Sequence, residues 1–213
     1  ALFALMENVS RVQIDSVDGK FASPACWPYT APGEFKSMAA SGDMLTLLDR
    51  FEYEIDLMCL DAEEAGEEWL SLGATRLTFH AEATTDLPRL LAHMHERHSG
   101  GPQFAERLVS FGVAIGVETD MAILESSLGQ LDYVQFMGIA SIGKQGQPFD
   151  TRVYERVRRF HAKHLEVPVQ IDGGENFDHA QKLVALGASS IIVGSALLKS
   201  SDPVAAAALY ENI

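Results

Sequence analysis

The chain has 213 residues, enough for one full-sized domain spanning 1–213, and its composition, 47% apolar and 22% charged, is ordinary for a soluble globular protein. A formal net charge of −14 argues against nucleic acid or an anionic membrane as the main partner, and no apolar run approaches the ~20 residues a membrane helix needs. The charge leaves a phosphate ligand open, because backbone N–H groups bind phosphate whatever the net charge.

The opening Ala-Leu-Phe-Ala-Leu-Met is too short for a secretory signal, and Cys26 and Cys59 form no metal or redox spacing. Two free thiols in a reducing cytoplasm are therefore expected. Short β-rich runs then alternate with amphipathic stretches. Strands are predicted at Arg11–Val17, Tyr53–Cys59, Arg76–His80, Val113–Val117, Tyr133–Gly138, Val167–Asp172 and Ser190–Val193. Helices are predicted near Phe35–Phe51, Glu63–Leu72, Pro88–Arg97, Phe104–Ser110, Met121–Leu128, Arg152–Leu165, Phe177–Leu186 and Val204–Tyr210, with Gly73, Gly112 and Gly187 as C-terminal caps. The acidic run Asp61–Glu68 reads as a helix start favoured by the helix dipole. Alternation of this kind means βαβ units and a parallel sheet.

Seven strands are one short of a closed (β/α)₈ barrel. The chain opens inside what reads as a first helix, so a first strand is expected upstream, or the edge is closed in another way. An open doubly wound sheet is the alternative architecture. The strand pattern favours the barrel. Residues two apart share a face of a strand. One set is apolar: Ile14, Ile55 and Leu57, Leu77 and Phe79, Val134 and Phe136, Val169 and Ile171. The other is Gln13 and Asp15, Asp56 and Met58, Thr78 and His80, Gln135 and Met137, Gln170 and Asp172. A sheet buried on both faces is apolar on both. Polar groups near the C-terminal strand ends belong instead to a barrel mouth. Buried carboxylates at Asp15, Asp56 and Asp172 need a metal, a proton or a ligand; a solvated loop position is the plainer alternative for any one of them.

These residues carry a family resemblance. Gln13-Ile-Asp15-Ser-Val-Asp18-Gly19-Lys-Phe21 resembles the His-x-Asp-x-Met-Asp-Gly-x-Phe signature of ribulose-phosphate 3-epimerases. Asp56-Leu-Met58 falls at that family's His-Leu-Met, and Thr78-Phe-His80-Ala-Glu82-Ala is similar to its Thr-Phe-His-x-Glu-Ala. Gly146-Gln147-Pro-Phe149, Asp172-Gly173-Gly174 and Val193-Gly194-Ser195-Ala196 resemble its loop and last two strand ends. The likeness runs in register from about Val12 to Ala196 and implies a ribulose-phosphate-binding barrel.

The resemblance also implies a reaction. One aspartate removes a proton from C3 of a ketose 5-phosphate, a second returns one to the opposite face, and an enediolate lies between. A divalent metal, typically zinc, polarises the oxygens in that family. Carried over, Asp15 and Asp172 are the acid–base pair. Met58 and Met137 cap the reacting carbons, with Val17 replacing another methionine. Gly146, Gln147, Gly173, Gly174, Gly194 and Ser195 bind the phosphorylated substrate. Gln13, Asp15, Asp56 and Asp172 are the candidate metal ligands. Gln13 and Asp56 stand where the family has its two metal-binding histidines. The set is thus all oxygen and suits magnesium or manganese better than zinc, with no metal at all as the other reading.

The Met137–Gln147 loop lacks the family's Pro-Gly-Phe-Gly segment and is one residue longer; Lys144 in it is either a phosphate contact or an exposed loop lysine. A barrel that binds a sugar phosphate without catalysis, or another reaction on the same scaffold, remains an alternative. The lysine-containing pattern of a related decarboxylase and synthase group is absent at Asp15-Ser-Val. His93, His95 and His98 read as a solvated helix end, and His80 as a core histidine bonded to Glu82 or Thr78. Trp27 and Tyr29 read as packing against the next helix or a partner subunit rather than as a lid. A phosphorylated ketose as ligand, and a homo-oligomer, complete the expectation.

Overall fold

The computed structural model describes residues 9–98, 109–144, 146–211 and 213. Among the described residues seven strands form one sheet: β1 (Arg11–Val17), β2 (Glu52–Met58), β3 (Arg76–His80), β4 (Ser110–Ile115), β5 (Tyr133–Met137), β6 (Val169–Asp172) and β7 (Ser190–Ile192). Their order is β1-β2-β3-β4-β5-β6-β7, and every neighbouring pair is parallel. A doubly wound sheet reverses its strand order at a switch point. This sheet never does, so it is a (β/α)₈ barrel short of one strand.

The helices are α1 (Pro32–Ser41), α2 (Ala62–Ser71), α3 (Leu87–His98), α4 (Arg152–Lys163), α5 (Phe177–Ala185), the single turn α6 (Ser195–Leu198) and α7 (Pro203–Tyr210). No helix among the described residues is long and apolar enough to cross a membrane. The outward strand residues form the core under the helices: Ile55, Leu57, Leu77, Phe79, Val134, Phe136, Val169 and Ile171 are buried there, with Ile14 packed against them. Asn176 and Asp202 cap α5 and α7, accepting from the N–H groups of His179 (2.9 Å) and Ala205 (3.0 Å), each worth about 1 kcal/mol.

Several predicted features differ. The helix expected to reach Phe51 stops at Ser41, because Gly42 takes a left-handed φ of 72° and closes the turn on Ala39 and Met38. Met121–Leu128 is not one helix but two 3-10 turns, Met121–Leu124 and Leu128–Gln130, the first started by an Asp120 side-chain bond to the N–H of Ala122. Gly112 is not a helix cap; it lies inside β4, where a Cβ would come within 2.2 Å of the Tyr133 ring. The helix predicted at Phe104–Ser110 falls mostly outside the described residues, and Ser110 itself opens β4.

The histidines of α3 are not simply solvated. His93 and His98 meet Glu63 and Glu67 of α2 at 2.6 and 3.0 Å, and His95 Nε2 lies 2.7 Å from the Gln130 carbonyl. Trp27 packs edge-on against Phe35 and Trp69, and Tyr29 donates to Asp61 at 2.5 Å. Cys26 and Cys59 are free thiols.

Candidate active site

The barrel interior is polar in two levels. At the N-terminal level the Arg76 guanidinium donates to buried Glu54 at 2.9 Å and lies 3.4 Å over the Tyr133 ring. Thr78 donates to Glu54 (3.0 Å) and shares a 2.7 Å hydrogen bond with Tyr133, and Gln170 donates to both Glu54 and Gln135. Gly112 leaves the space that the Tyr133 ring fills. Every charge here has a partner, as burial requires. The network plugs the bottom of the barrel and forms the floor of the site.

Above it, register gathers the acids. Asp15 of β1 lies beside Asp56 of β2, and Asp172 ends β6 next to Met137 of β5. One oxygen each from Asp15, Asp56 and Asp172 lie within 4.8 Å of one another. Asp56 is fully buried, while Asp15 and Asp172 are partly open to the mouth. At an effective dielectric near 20, each like-charged pair at this spacing repels by about 3 kcal/mol. Three bare carboxylates are therefore not a resting state without compensation.

The compensation is visible in three places. Gln13 Nε2 reaches Asp15 Oδ1 at 3.2 Å and Asp172 Oδ2 at 3.4 Å. His80 Nε2 lies 2.8 Å from Asp56 Oδ1, and Gln135 Nε2 donates to Asp56 Oδ2 at 2.9 Å. Proton affinity supplies the rest. Burial, then the charge of Asp56, push Asp15 up to about 6 against the pull of Gln13 and His80. Burial, followed by Asp56, Asp15 and Glu175, holds Asp172 well above the usual carboxylate range. For His80, burial opposes protonation, but the charge and hydrogen bond of Asp56 outweigh it and raise the imidazole.

The three carboxylates could hold a metal ion. Gln13 Oε1 is buried with no partner among the described residues, and an end-for-end turn of the amide would aim that oxygen between Asp15 and Asp172. This donor set has no imidazole or thiolate, so it fits a hard, oxygen-liganded cation.

Met58 and Met137 are buried at the strand ends around the acids, with Met137 Sδ 3.4 Å from Gln135. A second small cluster of Val17, Ala22 and Met58 packs with Phe21, Cys26 and Ile142, joining the loops after β1 and β5. Asp18 anchors the first loop by accepting from the N–H groups of Lys20 (2.7 Å), Phe21 (2.8 Å) and Leu60 (3.0 Å). Burial opposes its charge, yet these bonds hold it below its ordinary value.

The predicted phosphate end lies at adjacent strand ends, since Asp172 pairs with Ile192. Gly173 and Gly174 follow β6 with φ of 106° and 77°, and a Cβ on Gly174 would meet the Phe149 backbone at 2.9 Å. Gly194 precedes Ser195 at the start of α6. Gly146 comes close to that turn, its Cβ position 3.5 Å from Lys199 Nζ. Gln147 spends its amide on its own loop, bonding to Ser141 and Lys144, and Lys144 is exposed. Sequence reasoning missed Glu54, Arg76 and Tyr133, although each shares a strand face with a residue singled out. It also missed the partner of His80, which is Asp56.

A family model described as the ribulose-phosphate 3-epimerase family matches residues 40–198. Among curated proteins, the ribulose-phosphate 3-epimerase of Schizosaccharomyces pombe is 24% identical over 151 residues, covering 71% of this chain and 61% of that protein. The enzyme of the same name from Mycobacterium leprae is 26% identical over 211 residues, covering 96% and 84%. The chain spans about three-fifths of the length of the first two such relatives it matches. Among solved structures, 3-hexulose-6-phosphate synthase from Salmonella typhimurium superposes with a TM-score of 0.66 at 13% identity, over 99% of this chain and 89% of that one. At that identity the likeness is one of fold.

Proposed function

Since the chain belongs to the ribulose-phosphate 3-epimerase family, we propose that it moves a proton at the carbon beside the carbonyl of a phosphorylated ketose, through an enediolate. The observation that carries this reading is the convergence of Asp15, Asp56 and Asp172, with an oxygen of each within 4.8 Å of the others.

Asp15 and Asp172 are the acid–base pair. Both are open to the mouth, and Gln13 is the shared hydrogen-bond partner of the two. A general base works best with a pKa near the working pH, and Asp15, raised to about 6, is ionised but still basic at neutrality. Asp172, which burial and the neighbouring charges hold well above the usual carboxylate range, supplies a proton to the opposite face. Met58 and Met137 close apolar walls around the reacting carbons and keep water from quenching the enediolate. Gly174, Gly194 and Ser195 form the phosphate end, and Gly146, Gln147 and Gly173 line the rest of the substrate site, with Gln147 shaping the loop that carries Gly146.

Gln13, Asp15, Asp56 and Asp172 would hold a divalent cation, magnesium or manganese rather than zinc. When bound, it would supply Lewis-acid stabilisation of the negative charge that develops on the substrate oxygens.

The test is a coupled assay with ribulose 5-phosphate and related ketose phosphates, with and without added magnesium, manganese or zinc. Turnover that depends on Asp15 and Asp172 supports the proposal; no turnover with any of the three metals sinks it.

A further inference from the structure

Three carboxylates meet at the barrel mouth, but their surroundings are unequal. Asp15 and Asp172 each touch one donor, the amide of Gln13. Asp56 has a hydrogen-bonding nitrogen on each oxygen: His80 Nε2 at 2.8 Å from Oδ1 and Gln135 Nε2, which donates, at 2.9 Å from Oδ2. Both partners are themselves fixed. Gln135 accepts from Gln170 at 2.8 Å, which also donates to Glu54, so the clamp is continuous with the ion pair on the barrel floor. The His80 ring is buried, Phe21 packs on it with centroids 5.2 Å apart, and its Nδ1 lies 4.0 Å from Glu82 Oε2. Glu82 is in turn tied to the N–H of Gly116 (2.7 Å) and to Thr119.

From this geometry we infer that His80 is a positioning residue, which together with Gln135 locks Asp56 as the fixed carboxylate of the cluster and leaves proton traffic to Asp15 and Asp172. A carboxylate has about four lone-pair sites. Two of those on Asp56 are taken by rigid neighbours, so the remaining ones face the cluster in one orientation. An imidazole one layer behind a ligating carboxylate sets its direction and charge much as the outer partners of metal ligands do. His80 never touches the substrate in this account.

The inference rests on the epimerase reading, and two measurements on the whole chain keep them separable. The first needs no turnover. Long-range proton–nitrogen spectra of the imidazoles are expected to find His80 Nε2 protonated and protected from exchange, with the signal shifting in Asp56→Asn. A neutral ring carrying its proton on Nδ1 would overturn the inference. The second is kinetic. His80→Leu is expected to lower kcat on ribulose 5-phosphate by about 10- to 100-fold with KM changed less than about threefold, and His80→Gln, which keeps a donor, to recover most of the loss. Equal losses in both variants, tracking a common fall in melting temperature, would make His80 a packing residue and refute the positioning role. A wild type without turnover whose His80 Nε2 is nonetheless protonated and protected would refute the epimerase reading alone.

Discussion

Gln13 and Asp172 stand 159 residues apart in the chain, and the amide nitrogen of one lies 3.4 Å from Oδ2 of the other. The same nitrogen lies 3.2 Å from Asp15. A single neutral donor thus joins the two proposed acid–base groups and opposes the rise that burial imposes on both. Removing it in Gln13→Leu weakens that opposition, leaving only the charge of His80 to act on Asp15. The acid limb of the pH–rate profile is expected to move to higher pH, and turnover at pH 7 to fall about tenfold, the worth of one hydrogen bond to a charged group. An unmoved limb in the profile of the variant speaks against Gln13 as their shared partner.

The acid cluster lowers stability at neutral pH. Asp15 rises on folding from an ordinary 3.8 to about 6. A carboxyl raised in this way favours the folded state while protonated; the advantage is full below about pH 4 and is lost as pH climbs through about 6. Asparagine carries no such penalty. In metal-free buffer, Asp15→Asn is therefore expected to gain about 2 kcal/mol on the wild type between pH 4 and pH 7.5, allowing for the partial solvent access of Asp15. Denaturant unfolding at the two pH values measures it, and a constant difference between the proteins contradicts it.

On the barrel floor, Arg76 is the partner of a fully buried Glu54. Arg76→Met leaves that carboxylate uncompensated and is expected to cost about 3–5 kcal/mol. Adding Glu54→Gln removes the stranded charge, so the double variant is expected to be more stable than Arg76→Met alone. If the second substitution deepens the loss instead, the two residues are not coupled as described.

Gly112 lies beneath the Tyr133 ring, where a Cβ would come within 2.2 Å of the ring atoms. Gly112→Ala forces the ring away and disturbs its bond to Thr78, with an expected loss of about 3 kcal/mol in thermal or chemical unfolding. A variant as stable as the wild type would mean that β4 and β5 have room to separate there.

Much of this architecture was legible because strands alternate. The ends of β1 and β3 fall where hydrophobic patterning put them, and the apolar and polar sets face the helices and the barrel interior as read. Gly112 was misread because a glycine before a β-rich run suits a helix cap as well as a strand. Only the Tyr133 ring, 21 residues on, distinguishes the two. The helix from Phe35 overran because the pattern persists past Gly42, where the backbone turns left-handed. His80 was assigned a local partner, but its bond to Asp56 depends on the stagger between β2 and β3, which residue spacing does not carry. The carboxylates were found by face and the Gln13 bridge was not, since that contact exists only once β1 and β6 approach across the barrel mouth.

In the proposed reaction Asp15 and Asp172 form a two-faced proton relay. Ribulose 5-phosphate incubated with the protein in deuterated water, and followed by proton magnetic resonance at C3, tests it. The expected result is exchange of the C3 proton with appearance of the epimer; epimer formation is lost in both Asp15→Asn and Asp172→Asn while their folds persist, and exchange is lost in Asp15→Asn, which lacks the base that removes the proton. Undiminished epimer formation in either variant, or no exchange with the wild type in the presence of magnesium, manganese or zinc, would contradict it.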